Sequence, residues 1–253
     1  MTTRLDFSEV ELTPEEIEDA IYQAKAKKWG IEDSKKKEAE LIALAKEAKR
    51  PWKAAEMMEH FQAAANKLVK LKGHEKFITD ASNRTLIHDL CNYFSGDAGI
   101  YKPERSMFIM GGVGTGKTTI MQAFSRNKKQ CYRMASAIDM AEHVKNHGAE
   151  SWKIFLKGSA SHGLESNFYQ PFCGWLIDDM GTEEIVNDFG NKVDVIANIV
   201  FAISNDPARY GGCFHFTTNL NKEMLEQRYG QRVMSRLREL CNVVALTGED
   251  RRK

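Results

Sequence analysis

Residues 107–124 read MFIMGGVGTGKTTIMQAF. An apolar run passes into a glycine-rich stretch, then into a lysine and two threonines, and then into a helical apolar pattern. Gly111, four intervening residues, Gly116, Lys117 and Thr118 have the spacing G-x-x-x-x-G-K-[ST]. Each residue type there has a physical reason. Glycines let the loop Gly111, Gly112, Val113, Gly114, Thr115, Gly116 fold tightly with its N–H groups turned inward. The helix that opens near Lys117 aims its positive dipole end at the same point. Such a loop cradles phosphate. Lys117 is then placed to reach the β- and γ-phosphates of a nucleoside triphosphate, Thr118 to help hold Mg²⁺, and Thr119 to support the turn. The plain alternative is a strand-to-helix turn that binds nothing. The apolar run Met107–Met110 before the loop and the pattern Ile120, Met121, Phe124 after it favour the phosphate reading.

The rest of the chain sets bounds on what this loop can serve. Its 253 residues suffice for one substantial domain and a smaller one. A net charge of +1 excludes a chain that is basic throughout, but leaves room for a local nucleic-acid surface. Cysteines at 91, 131, 173, 213 and 241 are odd in number and contain no C-x-x-C pair, so they suggest neither a disulfide framework nor a zinc knuckle. The first residues contain no apolar h-region, so no leader is expected among them, and no segment reaches the ~18 apolar residues of a membrane span. A soluble, cytoplasmic protein with no membrane partner is expected.

Two textures divide the sequence. Residues 1–73 read as a small all-helical domain rich in Ala, Glu and Lys. Thr13-Pro14-Glu15-Glu16 is a capping-box start, and this helix is expected to end near Gly30. A second helix is expected from Asp33 or Ser34 to Pro51, and a third from Trp52 to Gly73. Leu41, Ile42, Leu44 and Ala45 form one apolar stripe, and Met57, Met58, Phe61, Ala65 and Leu68 another. They are expected to pack on each other, with any surplus apolar surface free to dock a partner protein. The lysines at 35–37 read as a solvated face. Residues 74–253 alternate strand and helix signals, with strands expected at about 107–111, 130–135, 174–179, 212–218 and 242–247.

Three further stretches carry candidate chemistry. In CGWLIDDMGTEE, residues 173–184, an apolar strand ends in Asp178 and Asp179. Asp178 suits Mg²⁺ coordination and Asp179 suits orientation or deprotonation of an attacking water, although a solvated turn reads the same way. In GCFHFTTNLN, residues 212–221, a strand ends in Thr217, Thr218 and Asn219, and the Asn219 amide is suited to a lytic water or a γ-phosphate. In EQRYGQRVMSRLREL, residues 226–240, Arg228, Arg232, Arg236 and Arg238 lie on a helix interrupted near Gly230. Guanidinium groups suit phosphate recognition, and one supplied by a neighbouring subunit would act as an arginine finger. A basic helix making surface ion pairs is the alternative. The tail LTGEDRRK adds Arg251, Arg252 and Lys253.

These motifs, in this order, make residues 76–253 resemble the AAA+ ATPases of the DnaC/IstB type. The resemblance implies an α/β P-loop NTPase fold of the AAA+/ASCE sort: a parallel five-stranded sheet in the order 5-1-4-3-2, flanked by helices, behind a small helical N-terminal domain. It sets the Asn219 strand between those carrying the phosphate loop and the acid pair. It implies ATP and Mg²⁺ as ligands, with Lys117, Asp178, Asp179, Asn219 and Arg236 catalytic. The sensor residue maps onto Asn219, the arginine finger onto Arg236, Arg232 onto an adjacent motif position, and Arg252 onto a nucleotide-facing one. Two departures stand out. The acid pair is Asp-Asp where the family often has Asp-Glu, so that Glu183 competes for the water-orienting role. No full helical lid domain, such as many AAA+ proteins use, is expected after the fifth strand, so the nucleotide contacts of a lid are expected from elsewhere, such as Arg252 or a neighbouring subunit.

The resemblance further implies a helicase loader. Its N-terminal domain would grip a DnaB-like replicative helicase, while the ATPase domains form a homo-oligomer on nucleotide and bind single-stranded DNA. Lys145, Lys153 and Lys157, with Trp152 and Phe155, lie where such proteins place DNA-contacting helices, and an ordinary amphipathic helix fits the same residues. Two other readings remain open at this level: an IstB-like transposition helper that binds duplex DNA, and a nucleotide-gated binding module with little hydrolysis.

Overall fold

The computed structural model describes residues 13–49, 52–129, 131–157, 174–188 and 190–251. Contacts divide the chain into two compact units, Met1–Arg50 and Pro51–Lys253.

The first unit contains one helix, α1 (Pro14–Lys49). Its start is the expected capping box: the Thr13 N–H donates to Glu16 Oε2 at 2.8 Å, and the Glu16 N–H to Thr13 Oγ1 at 3.4 Å. The expected break near Gly30 does not occur. A helical glycine costs only about 1 kcal/mol relative to alanine, and the surrounding Ala, Glu and Lys residues favour continuation. The side chains of the stripe Leu41, Ile42, Leu44 and Ala45 lie outside the described residues.

In the second unit, short buried strands alternating with helices build a sheet covered by helices on both faces. Strands β1 (Ser106–Gly111), β2 (Tyr132–Ser136) and β3 (Gly174–Asp178) are followed by a small antiparallel hairpin, β4 (Val186–Asp188) and β5 (Asn191–Val193), and then by β6 (Phe214–Thr218) and β7 (Cys241–Leu246). All but the hairpin join one parallel sheet in the order β2-β3-β6-β1-β7. Counted among the five sheet strands alone, this is the order 5-1-4-3-2. Central β1 is buried over its first four residues and β6 over its whole length, because both faces of the sheet are covered. Edge strand β7 alternates buried with exposed residues.

Successive side chains of β1 feed opposite layers. Phe108, with Phe214 and Phe216, packs against α5 (Ala137–His147), α6 (Val195–Asn205) and, beyond the single-turn α7 (Pro207–Tyr210), α8 (Lys222–Leu240), through residues such as Met140, Ile199 and Val233. Met107 and Ile109, with Leu176, pack against α2 (Ala54–Lys70), α3 (Arg84–Ser95) and α4 (Lys117–Phe124). A parallel five-stranded sheet in this order, flanked by helices and with the phosphate-loop strand β1 inside it, is the α/β P-loop NTPase fold.

Helix α2 departs from the expected three-helix bundle. Met57, Phe61 and Ala65 are wholly buried in the second unit, and Phe61 stacks on Phe124 of α4 with ring centroids 4.8 Å apart. The contact boundary therefore falls at Arg50/Pro51, and not at the 73/74 boundary read from composition. Phe61→Ala is expected to destabilise this unit by about 3–5 kcal/mol. Denaturant unfolding of the full chain, followed through nucleotide-site and far-ultraviolet signals together, measures it; loss of the α2 signal alone would count against this packing.

His215 in β6 is wholly buried and accepts a hydrogen bond on Nδ1 from the Met107 N–H at 3.0 Å. Tyr93, Phe94 and Tyr132 surround it, with ring centroids at 6.1, 5.4 and 4.7 Å. Burial pushes its pKa down from 6.5 to about 3. The unfolded chain then binds the extra proton between these values, so stability is full above about pH 6.5 and falls as the pH drops toward 3. The loss is on the order of 4–5 kcal/mol. His215→Asn, which keeps an acceptor for Met107, is expected to remove that share of the acid sensitivity; an unchanged stability profile against pH would refute it.

Candidate nucleotide site

At the carboxyl end of the sheet, the chain leaves β1 and turns into α4 through the glycine loop. Gly114 (φ +76°) and Gly116 (φ +97°) occupy the left-handed region, which side chains avoid. A Cβ on Gly114 would also meet Asp250 Oδ1 at 1.8 Å. The Thr115 hydroxyl closes the turn onto the Gly112 carbonyl at 3.0 Å. Lys117 begins α4, is 4% exposed, and donates from Nζ to the Gly111 and Gly112 carbonyls at 2.8 Å each and to Asn219 Oδ1 at 2.7 Å.

The three strand ends meet at this lysine. Asp178, the last residue of β3, accepts on Oδ1 from the Thr118 hydroxyl at 2.9 Å and from the Thr217 hydroxyl at 2.5 Å. Its burial raises the carboxyl above the ordinary aspartate value. The Thr217 and Thr118 hydrogen bonds pull the other way, neighbouring Asp179 adds to the rise, and Lys117 offsets part of it. Asp179 has φ +52°, donates its N–H to Thr217 Oγ1 at 3.0 Å, and accepts the Asn219 Nδ2 amide at 2.8 Å on Oδ1. Asn219 therefore bridges Lys117 and Asp179. Because β6 separates β1 from β3, the amide just past its end reaches both neighbouring strand ends.

A cleft of about 660 Å³ opens over these groups, lined by Gly114, Gly116, Lys117, Thr118, Thr119, Asp179 and Asn219 on one side. Its other side comes from residues that the sequence reading did not single out: Val69, Lys72, His74, Lys76, Phe77 and Ile78, together with Arg251. Arg251 donates its backbone N–H to the Gly114 carbonyl at 3.0 Å. Its guanidinium contacts Asp80 at 2.7 Å and the Ser82 hydroxyl at 2.6 Å. The Ser82 hydroxyl and N–H, then Arg251, hold the Asp80 carboxyl at about 2. Arg252, the residue expected to face nucleotide, lies outside the described residues.

Other candidates are placed elsewhere. Arg232 and Arg236 do not line the cleft: Arg232 lies over the Phe201 ring at 5.3 Å, and Arg236 pairs with Glu239 at 3.0 Å. Glu183 is buried and engaged by Arg228 at 2.9 Å and by the Tyr229 hydroxyl, so it does not share the cleft with Asp179. Phe155 is buried against His143 and Trp175 and offers no stacking face. Lys145 and Lys157 are exposed, and Lys153 pairs with Glu150. Among the described residues, no helix is long and apolar enough to cross a membrane.

The sheet order and the loop-borne lysine together define the α/β P-loop NTPase fold. No protein-family model matches the chain, and no curated protein matches it. Among solved structures, it is similar to a primosome component from Streptococcus pyogenes serotype M3, with 21% identity over 69% of this chain and 85% of that one, at a TM-score of 0.47. It is also similar to the DnaC helicase loader, with 17% identity over 67% and 93% of the two chains, at a TM-score of 0.43. AMPPCP-bound DnaA from Aquifex aeolicus shares 23% identity over 67% and 48%, at a TM-score of 0.42. At such identities a shared fold does not carry a shared activity.

Proposed function

We propose that this chain is an ATP-dependent helicase loader that hydrolyses ATP, assembles on single-stranded DNA as a homo-oligomer, and delivers or opens a replicative helicase. The observation that carries the ATPase part is the convergence of Lys117, Asn219 and Asp179, with Thr118 on Asp178, at the ends of three adjacent strands. Lys117 binds and orients the β- and γ-phosphates, and the loop amides donate hydrogen bonds to their oxygens. Asp179 holds the attacking water and takes its proton, while the Asn219 amide fixes that carboxylate relative to Lys117.

The Thr118 hydroxyl and Asp178 carboxylate sit side by side, two hard oxygen donors of the kind magnesium takes beside a triphosphate. Among the described residues there is no cluster of three His, Cys, Asp or Glu side chains for a metal. Bound Mg²⁺ would neutralise charge on those phosphates.

The loader part of the reading rests on the motif order in residues 76–253. Arg236 and Arg232, away from this chain's own cleft, are assigned to the neighbouring subunit's nucleotide. Helicase binding is assigned to the N-terminal helical region.

ATP turnover by the purified chain, alone, with single-stranded DNA, and with a replicative helicase, tests the proposal. Stimulation by both partners supports it. Stimulation by duplex DNA without a helicase effect would point to a transposition helper, and tight ATP binding without turnover to a nucleotide-gated module.

A further inference from the structure

We infer that Arg228 is a positioning residue for hydrolysis. It holds the acid loop after β3, and through that loop Asp179, in register with the half-helix that carries Arg232 and Arg236. The inference rests on the ATPase reading above.

Four arginines lie on α8, and Arg228 differs from the others in how it is held. Its side chain is only 18% exposed, its Nη2 donates to Glu183 Oε1 at 2.9 Å, and its Nη1 donates to Asp194 Oδ2 at 2.6 Å. Glu183, with a side chain 1% exposed, spends its other oxygen on the Gly181 N–H at 2.9 Å. The Tyr229 hydroxyl donates to the same Oε1 as Arg228. Asp194 caps α6 by accepting the Ala197 N–H at 3.1 Å. One guanidinium thus ties α8 to the loop 179–183 and to the start of α6.

That loop needs holding from outside. Asp179 at φ +52° and Gly181 at φ +99° are both left-handed, and a non-glycine residue stays there only where its surroundings over-determine it. The Thr182 hydroxyl and N–H both donate to the Asp179 carbonyl, at 2.7 and 3.2 Å. Glu183 anchors the far side of the turn. A buried carboxylate can do so only while its charge is answered, and Arg228 answers it. Two residues further on, Gly230 is non-helical (φ 79°, ψ 162°) and divides α8. The half before the kink is locked to the acid loop, and the half after it bears the arginines assigned to the neighbouring nucleotide. The lock gives both catalytic groups one reference point.

The test uses the full chain with Arg228→Met, Arg228→Lys and Tyr229→Phe, measuring kcat, KM, affinity for a fluorescent ATP analogue, and melting temperature. Displacing a reacting group by about 1 Å costs roughly a hundredfold in rate. Arg228→Met is therefore expected to lose about ten- to a hundredfold in kcat, with KM and nucleotide affinity within about twofold. Arg228→Lys should fall between it and the unmodified chain. Should Arg228→Met not fold, Arg228→Lys and Tyr229→Phe carry the same expectation in smaller measure. A lowered melting temperature with unchanged kcat in the folded variants, or kcat and affinity falling together, would overturn the positioning role alone. An unmodified chain that binds ATP without turning it over would overturn the hydrolysis reading, and this inference with it.

Discussion

Lys117→Ala is expected to weaken ATP binding by roughly thirty- to several-thousandfold, the equivalent of about 2–5 kcal/mol for truncating one partner of a buried charge pair, and to abolish measurable turnover. The expectation follows from how the ammonium is held. It is 4% exposed and converges on two loop carbonyls and Asn219 Oδ1 within 2.8 Å, so its position is fixed by backbone geometry. Lys117→Arg should fail nearly as badly, because a planar guanidinium cannot occupy a point defined by three acceptors around a tetrahedral ammonium. Titration calorimetry with ATP, alongside a melting curve to show that the variant is folded, measures the effect. Unchanged affinity in a folded Lys117→Ala chain would remove the phosphate-cradle reading.

The parts of this site that were legible from sequence are those in which one short stretch contains the whole physical requirement. The glycine loop, its lysine and the flanking strand and helix sit within residues 107–124, and each strand ending in Asp178 or Asn219 carries its own apolar run. Strand positions agree to within two residues for all five members of the sheet. Pairing between distant segments was not legible. The amphipathic stripe Met57, Phe61, Ala65 shows that α2 buries one face, but not that the face meets Phe124 and Phe94 rather than another N-terminal helix. Glu183 and Arg228 lie 45 residues apart. Nothing local in TEEI or EQRYG distinguishes a buried ion pair from a free acid and a free finger. Reading Glu183 as a competitor of Asp179 erred for that reason. Arg251 and Arg252 are equivalent by composition, and what places Arg251 against the cleft is its bonding to the distant Gly114, Asp80 and Ser82. The continuous α1 shows the limit of a lone glycine as a stop signal, since Gly30 has no proline or cap beside it.

Asn219→Ala is expected to reduce kcat by about a hundred- to a thousandfold, the effect of removing one preorganised polar group from a reaction centre, while leaving ATP affinity within about threefold. The asymmetry comes from the two ends of its amide. At one end Oδ1 is one of three acceptors for Lys117, and the Gly111 and Gly112 carbonyls remain when it is removed. At the other end Nδ2 is the donor that fixes Asp179 Oδ1 at 2.8 Å. The alanine variant therefore keeps Lys117 in place and releases the Asp179 carboxylate, to which the proposed mechanism gives the attacking water. Asn219→Asp makes the same point through charge: it preserves an acceptor for Lys117 but replaces the amide donor to Asp179 Oδ1 with a second carboxylate, which repels Asp179 instead of holding it. It should bind ATP and fail to hydrolyse it at neutral pH. Stopped-flow binding and steady-state turnover on the two variants separate the effects. A kcat within threefold of the unmodified chain in Asn219→Ala would mean that Asp179 is held by its loop alone, and the Lys117–Asn219–Asp179 bridge would then lose its place in the chemistry.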